Sequence, residues 1–423
     1  METLATHYAR LLGTDDSWRV EAVDLRLEDR RVEIRLKHVG SGVTCPECGR
    51  DCGLADHADG RLGIAFAWGR PEKRQAQDFM DYRLYYGPGR GLFSTGQFGR
   101  LTTPAHNCIV ANEHVSATPG VPAEMRLDGA FPYCVAENPG SKPINDTDLA
   151  QPWPYPWIWP KAGEVHSNFW PLGLPYPQAG QGKWWREWRP MEDVTRWSRA
   201  VALVEGGFLI ADAVELESPG RVDRPIHLGG SLVPQLEIEG TTLAIGPVKG
   251  PLGTAAVYQD MLPPVAKEPA PGDAAHADEF PRGKTADTWA FSGRMGGVGV
   301  TATVLGAPGT EVIHVGKLKG SWGAANPFLL VRREGVTQTR FVVFIEPSGA
   351  WEAKERTGAP RLKGMNRLPV TDAAGKPLAD EQAAAVELDF GDKRVVVLLN
   401  DSGAEIKAGG VSTAQRFAAG LAE

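Results

Sequence analysis

Hydrophobic and polar residues alternate with period two along much of this chain. In Val23-Asp24-Leu25-Arg26-Leu27, and again in Val32-Glu33-Ile34-Arg35-Leu36, every second side chain is apolar, and the charged Glu28-Asp29-Arg30 between them reads as a turn. Successive strand side chains point to opposite faces, so the pattern predicts a hairpin. A second hairpin is expected from residues 198–204 to 208–214, turning at Glu205-Gly206-Gly207. Further strands are expected over residues 298–304, 311–315, 328–333, 339–346, 386–390 and 394–399. Helical spacing occurs at Leu4, Tyr8, Leu11 and Leu12, predicting a short amphipathic helix over residues 3–12 closed by Gly13.

Short strands separated by frequent turns predict a mainly β protein: a large antiparallel β-sandwich with a small N-terminal helix plus β-ribbon segment. Asp59-Gly60, Gly63 and Gly69-Arg70-Pro71 are turn signals without a clear element. Three divisions follow: a ribbon-like segment over residues 1–58, an irregular junction over 59–77, and the sandwich over 78–423. Residues 263–287, rich in Pro, Ala and Asp, are expected to form an exposed excursion. Residues 152–190 hold seven of the 13 tryptophans among many prolines, which excludes a central strand or continuous helix there.

Composition adds limits. At 423 residues with 42% hydrophobic and 23% charged residues, the chain has ordinary globular content, and its 50 glycines and 33 prolines suit turn-rich β structure. A net charge of −7 argues against a generally basic nucleic-acid binder, leaving only a local group such as Arg26, Arg30, Arg31, Arg35 and Lys37. The first residues lack a basic start followed by an apolar run, so neither an export signal nor a membrane span is expected; this pattern alone points to the cytoplasm, and the localisation stays open.

Three of the five cysteines, Cys45, Cys48 and Cys52, fall close together and are followed by His57. Thiolate and imidazole are zinc donors, and Cys45-Pro46-Glu47-Cys48 can aim two sulfurs at one ion. A structural zinc site uses four ligands, usually as two separated pairs, and the second pair is missing here. A bound zinc and a reduced, empty knuckle both stay open. Cys108 and Cys134 read as buried or free thiols.

Residues 4–57 resemble the N-terminal zinc ribbon of a family of insertion-sequence transposases, through YARLLG, WRVEAVDLRLEDRRVEIRL and CPECGRDCGLADH. The resemblance implies nucleic-acid contact through this segment alone; the family's second cysteine–histidine pair, helix-turn-helix and acidic core have no counterpart, so transposition is not implied. Asp81-Tyr82, Tyr85-Tyr86-Gly87 and the LTTPAHNCIV run over residues 101–110 resemble the β-sandwich of heparinase II/III-like polysaccharide lyases. The hairpin WSRAVALVEGGFLIADAVELE, then Arg224-Pro225-Ile226-His227, then FVVFIEP over residues 341–347, extend the match over most of residues 78–400.

That resemblance implies an acidic polysaccharide partner and β-elimination next to a uronate carboxylate, which needs charge neutralisation, a base and an acid. In the family the base and much of the groove come from a helical toroid. With no such toroid in the sequence, a non-catalytic, carbohydrate-binding or truncated form is expected, and a chimeric gene would explain the two resemblances. Related lyases are usually periplasmic or secreted, in conflict with that expectation.

The same resemblance places a zinc at His106 and Asp81, although Arg70-Pro71-Glu72-Lys73-Arg74 stands where the family has a histidine pair. It puts Arg199, Asp212 and His227 at positions the family often uses, with Arg199 as a substrate contact. Each residue has a structural rival. His106 reads equally as a buried, hydrogen-bonded histidine, His227 reads first as a structural residue, and Arg199 faces Asp212 across the hairpin as an ion pair. Tyr85 and Tyr86 are candidate proton donors or packing residues. Trp157, Trp159 and Trp185 either stack on sugar rings or form a small satellite core.

Overall fold

A computed structural model describes residues 18–26, 31–38, 42–44, 51–53, 62–67, 80–86, 91–93, 107–112, 121–138, 193–228, 236–250, 280–315, 327–349 and 358–422. The chain divides into two compact units, Met1–Asp56 and His57–Glu423. The first contains β1 (Trp18–Arg26), β2 (Arg31–His38), β3 (Gly42–Thr44) and β4 (Asp51–Gly53). β1 and β2 pair antiparallel with Val23 opposite Ile34 and Leu25 opposite Val32, the register that keeps the alternating apolar positions on one face. The helix expected over residues 3–12 lies outside the described residues.

The second unit opens with a three-stranded sheet of β5 (Leu62–Ala67), β6 (Asp81–Tyr86) and β7 (Gly91–Phe93). β5 corrects the expectation of an irregular segment over residues 59–77. Its apolar run is broken by Gly63, which masked the strand, and pairing with β6 supplies the hydrogen bonds that local pattern could not reveal.

A 12-stranded antiparallel sheet follows. Its strands are β8 (Val110–Ala111), β9 (Val121–Arg126), β10 (Tyr133–Asn138), β11 (Val194–Val204), β12 (Gly207–Ile226), β13 (Glu237–Thr241), β14 (Gly246–Gly250), β15 (Phe280–Thr285), β16 (Trp289–Met295), β17 (Val298–Val304), β18 (Thr310–Val315) and β19 (Phe328–Gly349). The C-terminal part adds β20 (Gly364–Leu368), β21 (Thr371–Asp372), β22 (Ala383–Asp389), β23 (Arg394–Asn400), β24 (Ile406–Ala408), β25 (Val411–Thr413) and β26 (Phe417–Leu421). These form a four-stranded sheet in the order β20-β22-β23-β26 and a three-stranded sheet in the order β21-β24-β25.

The two longest strands organise the sandwich. The first half of β12 pairs with β11 and its second half with β8, while β19 pairs with β18 early and β17 late and runs beside β12 throughout. Between Glu215 and Val222 the register slips twice, and Gly335 across the ladder has φ +69°, a left-handed conformation that glycine adopts without strain. There the sheet carries over from one layer to the other, and side chains of both layers meet in one core: Phe208, Ile210 and Phe341 with Val222, Ile226 and Val331. Residues 328–333 and 339–346, expected as two strands, are therefore one; the exposed polar stretch between them is the crossing and not a loop.

Alternation sorts the sheet's two faces. Leu209, Ala211, Val342 and Phe344 point the other way, into a second core with Val386, Leu388, Val395 and Val397 of the four-stranded sheet. The β11–β12 hairpin turns as its sequence requires: Glu205 and Gly206 both have positive φ, as a two-residue type I′ turn demands. Gly207 follows because any Cβ there would meet the Phe344 ring. β15 is a further correction, since residues 280–285 were expected within an exposed excursion; Pro281 and Gly283 hid a strand that pairs with β14 and β18. The tryptophan-rich segment lies outside the described residues.

Candidate functional site

Three charged residues occupy apolar-facing positions of the long strands. On β11 Arg199 falls between Trp197 and Val201; on β12 Asp212 falls between Ile210 and Val214, and Arg224 between Val222 and Ile226. Period two sends all three into the core between the layers, and each is fully shielded from solvent. Arg199 and Asp212 are direct cross-strand partners, while Arg224 reaches Asp212 from the other layer.

Asp212 is saturated with donors. Its Oδ1 accepts from Arg199 Nε at 2.6 Å and Trp197 Nε1 at 2.9 Å, and its Oδ2 from Arg199 Nη2 and Arg224 Nε, each at 3.0 Å. The Arg199 contact is the bidentate fork that suits a carboxylate. Arg199 Nη1 donates to the Met80 carbonyl, and Arg224 donates to the Pro225 carbonyl and, at 2.9 Å, to the Tyr82 hydroxyl. The Tyr82 ring lies 5.2 Å from Arg199 and 5.6 Å from Arg224, centroid to guanidinium carbon.

Burial alone would raise the Asp212 carboxyl, but the two guanidiniums and their hydrogen bonds outweigh it and hold the group below the usual carboxylate range. Burial raises the Tyr82 hydroxyl despite the opposing pull of Arg224 and Arg199, so it stays neutral. The centre thus contains two cations and one anion, with its donors committed to protein acceptors. Such an arrangement ties β6, β11 and β12 together. It favours the ion-pair reading of Arg199 over the glycan-contact reading, since no ligand reaches a side chain without solvent access.

A second part of the expected site also assembles. Val110 and Ala111 of β8 pair with Asp223 and Val222 of β12, which brings the segment after His106 against the Arg224-Pro225-Ile226-His227 run. The buried Asn107 side chain accepts the His227 backbone N–H through Oδ1 at 2.8 Å, while its Nδ2 is a buried donor without an acceptor among the described residues. The His227 ring is buried and stacks on Phe328 with centroids 4.5 Å apart. Asp223 beside it binds Arg332 through two bonds of 2.8 and 2.9 Å.

The tyrosines differ. Tyr86 donates its hydroxyl to the Gly349 carbonyl at 2.6 Å, a packing role, whereas Tyr85 is half-buried on the opposite face of β6. Cys108 and Cys134 are buried free thiols, and burial pushes the Cys134 thiol up to about 12.

His106, Cys45, Cys48, His57, Trp157, Trp159 and Trp185 lie outside the described residues, and Asp81 and Cys52 are described as backbone only. Among the described residues no group of three or more His, Cys, Asp or Glu side chains is arranged to hold a metal ion. Nor is any described helix long and apolar enough to cross a membrane. Arg224, Trp197 and Asn107 were not singled out as site residues from sequence. The available signal was a charge on the buried parity of an alternating strand, which Arg224 shares with Arg199 and Asp212.

No protein-family model matches the sequence, and neither does any curated protein. Among solved structures, the chain is similar to a heparinase III, the BT4657 gene product, at 13% identity and TM-score 0.43, over 80% of this chain and 38% of that one. It is also similar to the heparan sulfate lyase HepC from Pedobacter heparinus, at 11% identity and TM-score 0.39, over 77% of this chain and 37% of that one. The chain thus spans less than two fifths of the length of these structures.

Proposed function

We propose that this chain is a heparinase-like β-sandwich that binds an acidic, uronate-bearing polysaccharide. The observation that carries the reading is the meeting of β8 with the end of β12, closed by the Asn107–His227 bond. These two segments bear the sequence resemblance to heparinase II/III-like lyases, and they are far apart in the chain yet form one buried corner. A shared fold does not by itself transfer an activity, so the claim is binding first. Tyr85 is the better of the two tyrosine candidates for proton transfer, because the Tyr86 hydroxyl is engaged with Gly349.

The test is retention of the full chain on immobilised heparan sulfate and hyaluronan against neutral dextran, with absorbance of unsaturated uronate product followed in parallel. Salt-sensitive retention on the acidic glycans alone is expected. Equal elution from all three columns without product formation would overturn the reading.

A further inference from the structure

Beside the crossing of β12 and β19 lies a cavity of about 180 Å³, walled by Glu215, Arg333, Thr339, Arg340, Arg367 and Asp380 among others. Arg333 is its unusual member. Its residue is 4% exposed, and its guanidinium meets neutral acceptors: Nη1 donates to Thr339 Oγ1 at 2.6 Å and to the Arg340 carbonyl at 2.7 Å, and Nε to Thr310 Oγ1 at 3.3 Å. The guanidinium carbon sits 4.3 Å from the Phe341 ring centroid. No carboxylate of a described residue pairs with it.

The surrounding charges are otherwise spoken for. Glu215 pairs with Arg196 at 3.1 Å, Asp380 with Arg367, and Arg340 with Asp401 at 2.7 Å; Glu381, also on the wall, is exposed to water. Arg340 Nε in addition is a buried donor without an acceptor among the described residues. Burial, reinforced by Arg367 and opposed by Asp380, pulls Arg333 down to about 10. A buried cation with no carboxylate bonded to it is costly, and an anion entering the cavity relieves it.

We infer that this cavity is an oxyanion site, in which the Arg333 guanidinium receives a carboxylate or sulfate group. Ligand pockets for drug-sized molecules start near ~300 Å³. This cavity therefore suits an anionic group or a single acidic sugar unit and not a long glycan. The inference stands apart from the polysaccharide reading: the whole chain can retain glycan through other surfaces while this site is empty, and the reverse also holds.

Calorimetric titration of the full chain with sodium sulfate and with sodium glucuronate tests it, with sodium chloride at equal ionic strength and neutral glucose as controls. Saturable binding of at least one oxyanion is expected, and the tighter of the two identifies the group. Arg333→Met should weaken it about tenfold or more, the loss of charge-assisted hydrogen bonds. Thr339→Asp provides a second route, because it puts a carboxylate where Oγ1 already accepts from Nη1; it should abolish oxyanion binding while circular dichroism shows the fold intact. If Arg333→Met fails to fold, Thr339→Asp decides. Absence of saturable binding to the wild type, binding matched by glucose or chloride, or binding unchanged in the folded variants would each overturn the inference.

Discussion

Arg199 and Arg333 lie in the same 12-stranded sheet and are both shielded from water, yet their surroundings are opposite. Arg199 is bidentate to a carboxylate that a second arginine also holds. Arg333 faces hydroxyls, a carbonyl and an aromatic ring, and lines an opening. A buried guanidinium paired this way closes a core, whereas one with no carboxylate bonded to it marks where the fold accepts an energetic cost. Burial alone therefore does not separate a structural arginine from a binding one; the partner does.

The comparison breaks most sharply at Asp212. Replacing it with Ala leaves Arg199 and Arg224 facing each other without their shared anion, and breaking a buried pair in this way costs about 3–5 kcal/mol. A urea or thermal unfolding series should show the loss, and a change below ~1 kcal/mol would contradict the closed-core account. The same residue predicts an acid limb. Its folded carboxyl is held below the ordinary value, so its contribution is fully present above the unfolded pKa of ~3.9 and is lost as pH falls through the folded value. Unfolding midpoints measured from neutral pH downward should fall in that window, and Asp212→Asn should remove this residue's share of the fall.

A smaller effect is expected at Arg199. Changing it to Met removes the fork to Asp212 and the bond to Met80, but Arg224 and Trp197 still neutralise and cap the carboxylate. The expected cost is about 1.5–3 kcal/mol, the range for a hydrogen bond to a charged group and below that of Asp212→Ala. An equal or larger loss than Asp212→Ala would mean that Arg224 does not share the anion.

Much of this fold was legible because period-two alternation is local. β17 shows it, the β11–β12 hairpin and β23 are short apolar runs bounded by turn residues, and the positive-φ turn at Glu205-Gly206 follows from residue type. What escaped was whatever depends on distant partners. β5 and β15 are interrupted by Gly63, Pro281 and Gly283, and they exist because β6 and β18 pair with them. The joining of two expected strands into β19 depends on the crossing beside β12, which no window of sequence contains. The Arg199–Asp212 pair was readable from hairpin register; Arg224 joins it from the other layer, so its role became visible only when the layers met.

The opposite end of the comparison is Arg333→Met. Met fills similar apolar space over Phe341 and removes a buried cation to which no carboxylate of a described residue is bonded, which favours the folded state. Against this, Thr339 Oγ1, Thr310 Oγ1 and the Arg340 carbonyl each lose a donor. Thr339 lines the cavity and its hydroxyl can exchange the lost donor for solvent, so the opposing effects come close to cancelling, and the net change expected in oxyanion-free buffer is within about 1 kcal/mol of zero. Adding sulfate should then separate wild type from variant, because ligand binding stabilises only the chain that retains the site. A loss as large as that of Asp212→Ala, already present without added anion, would place Arg333 in the same structural class as Arg199.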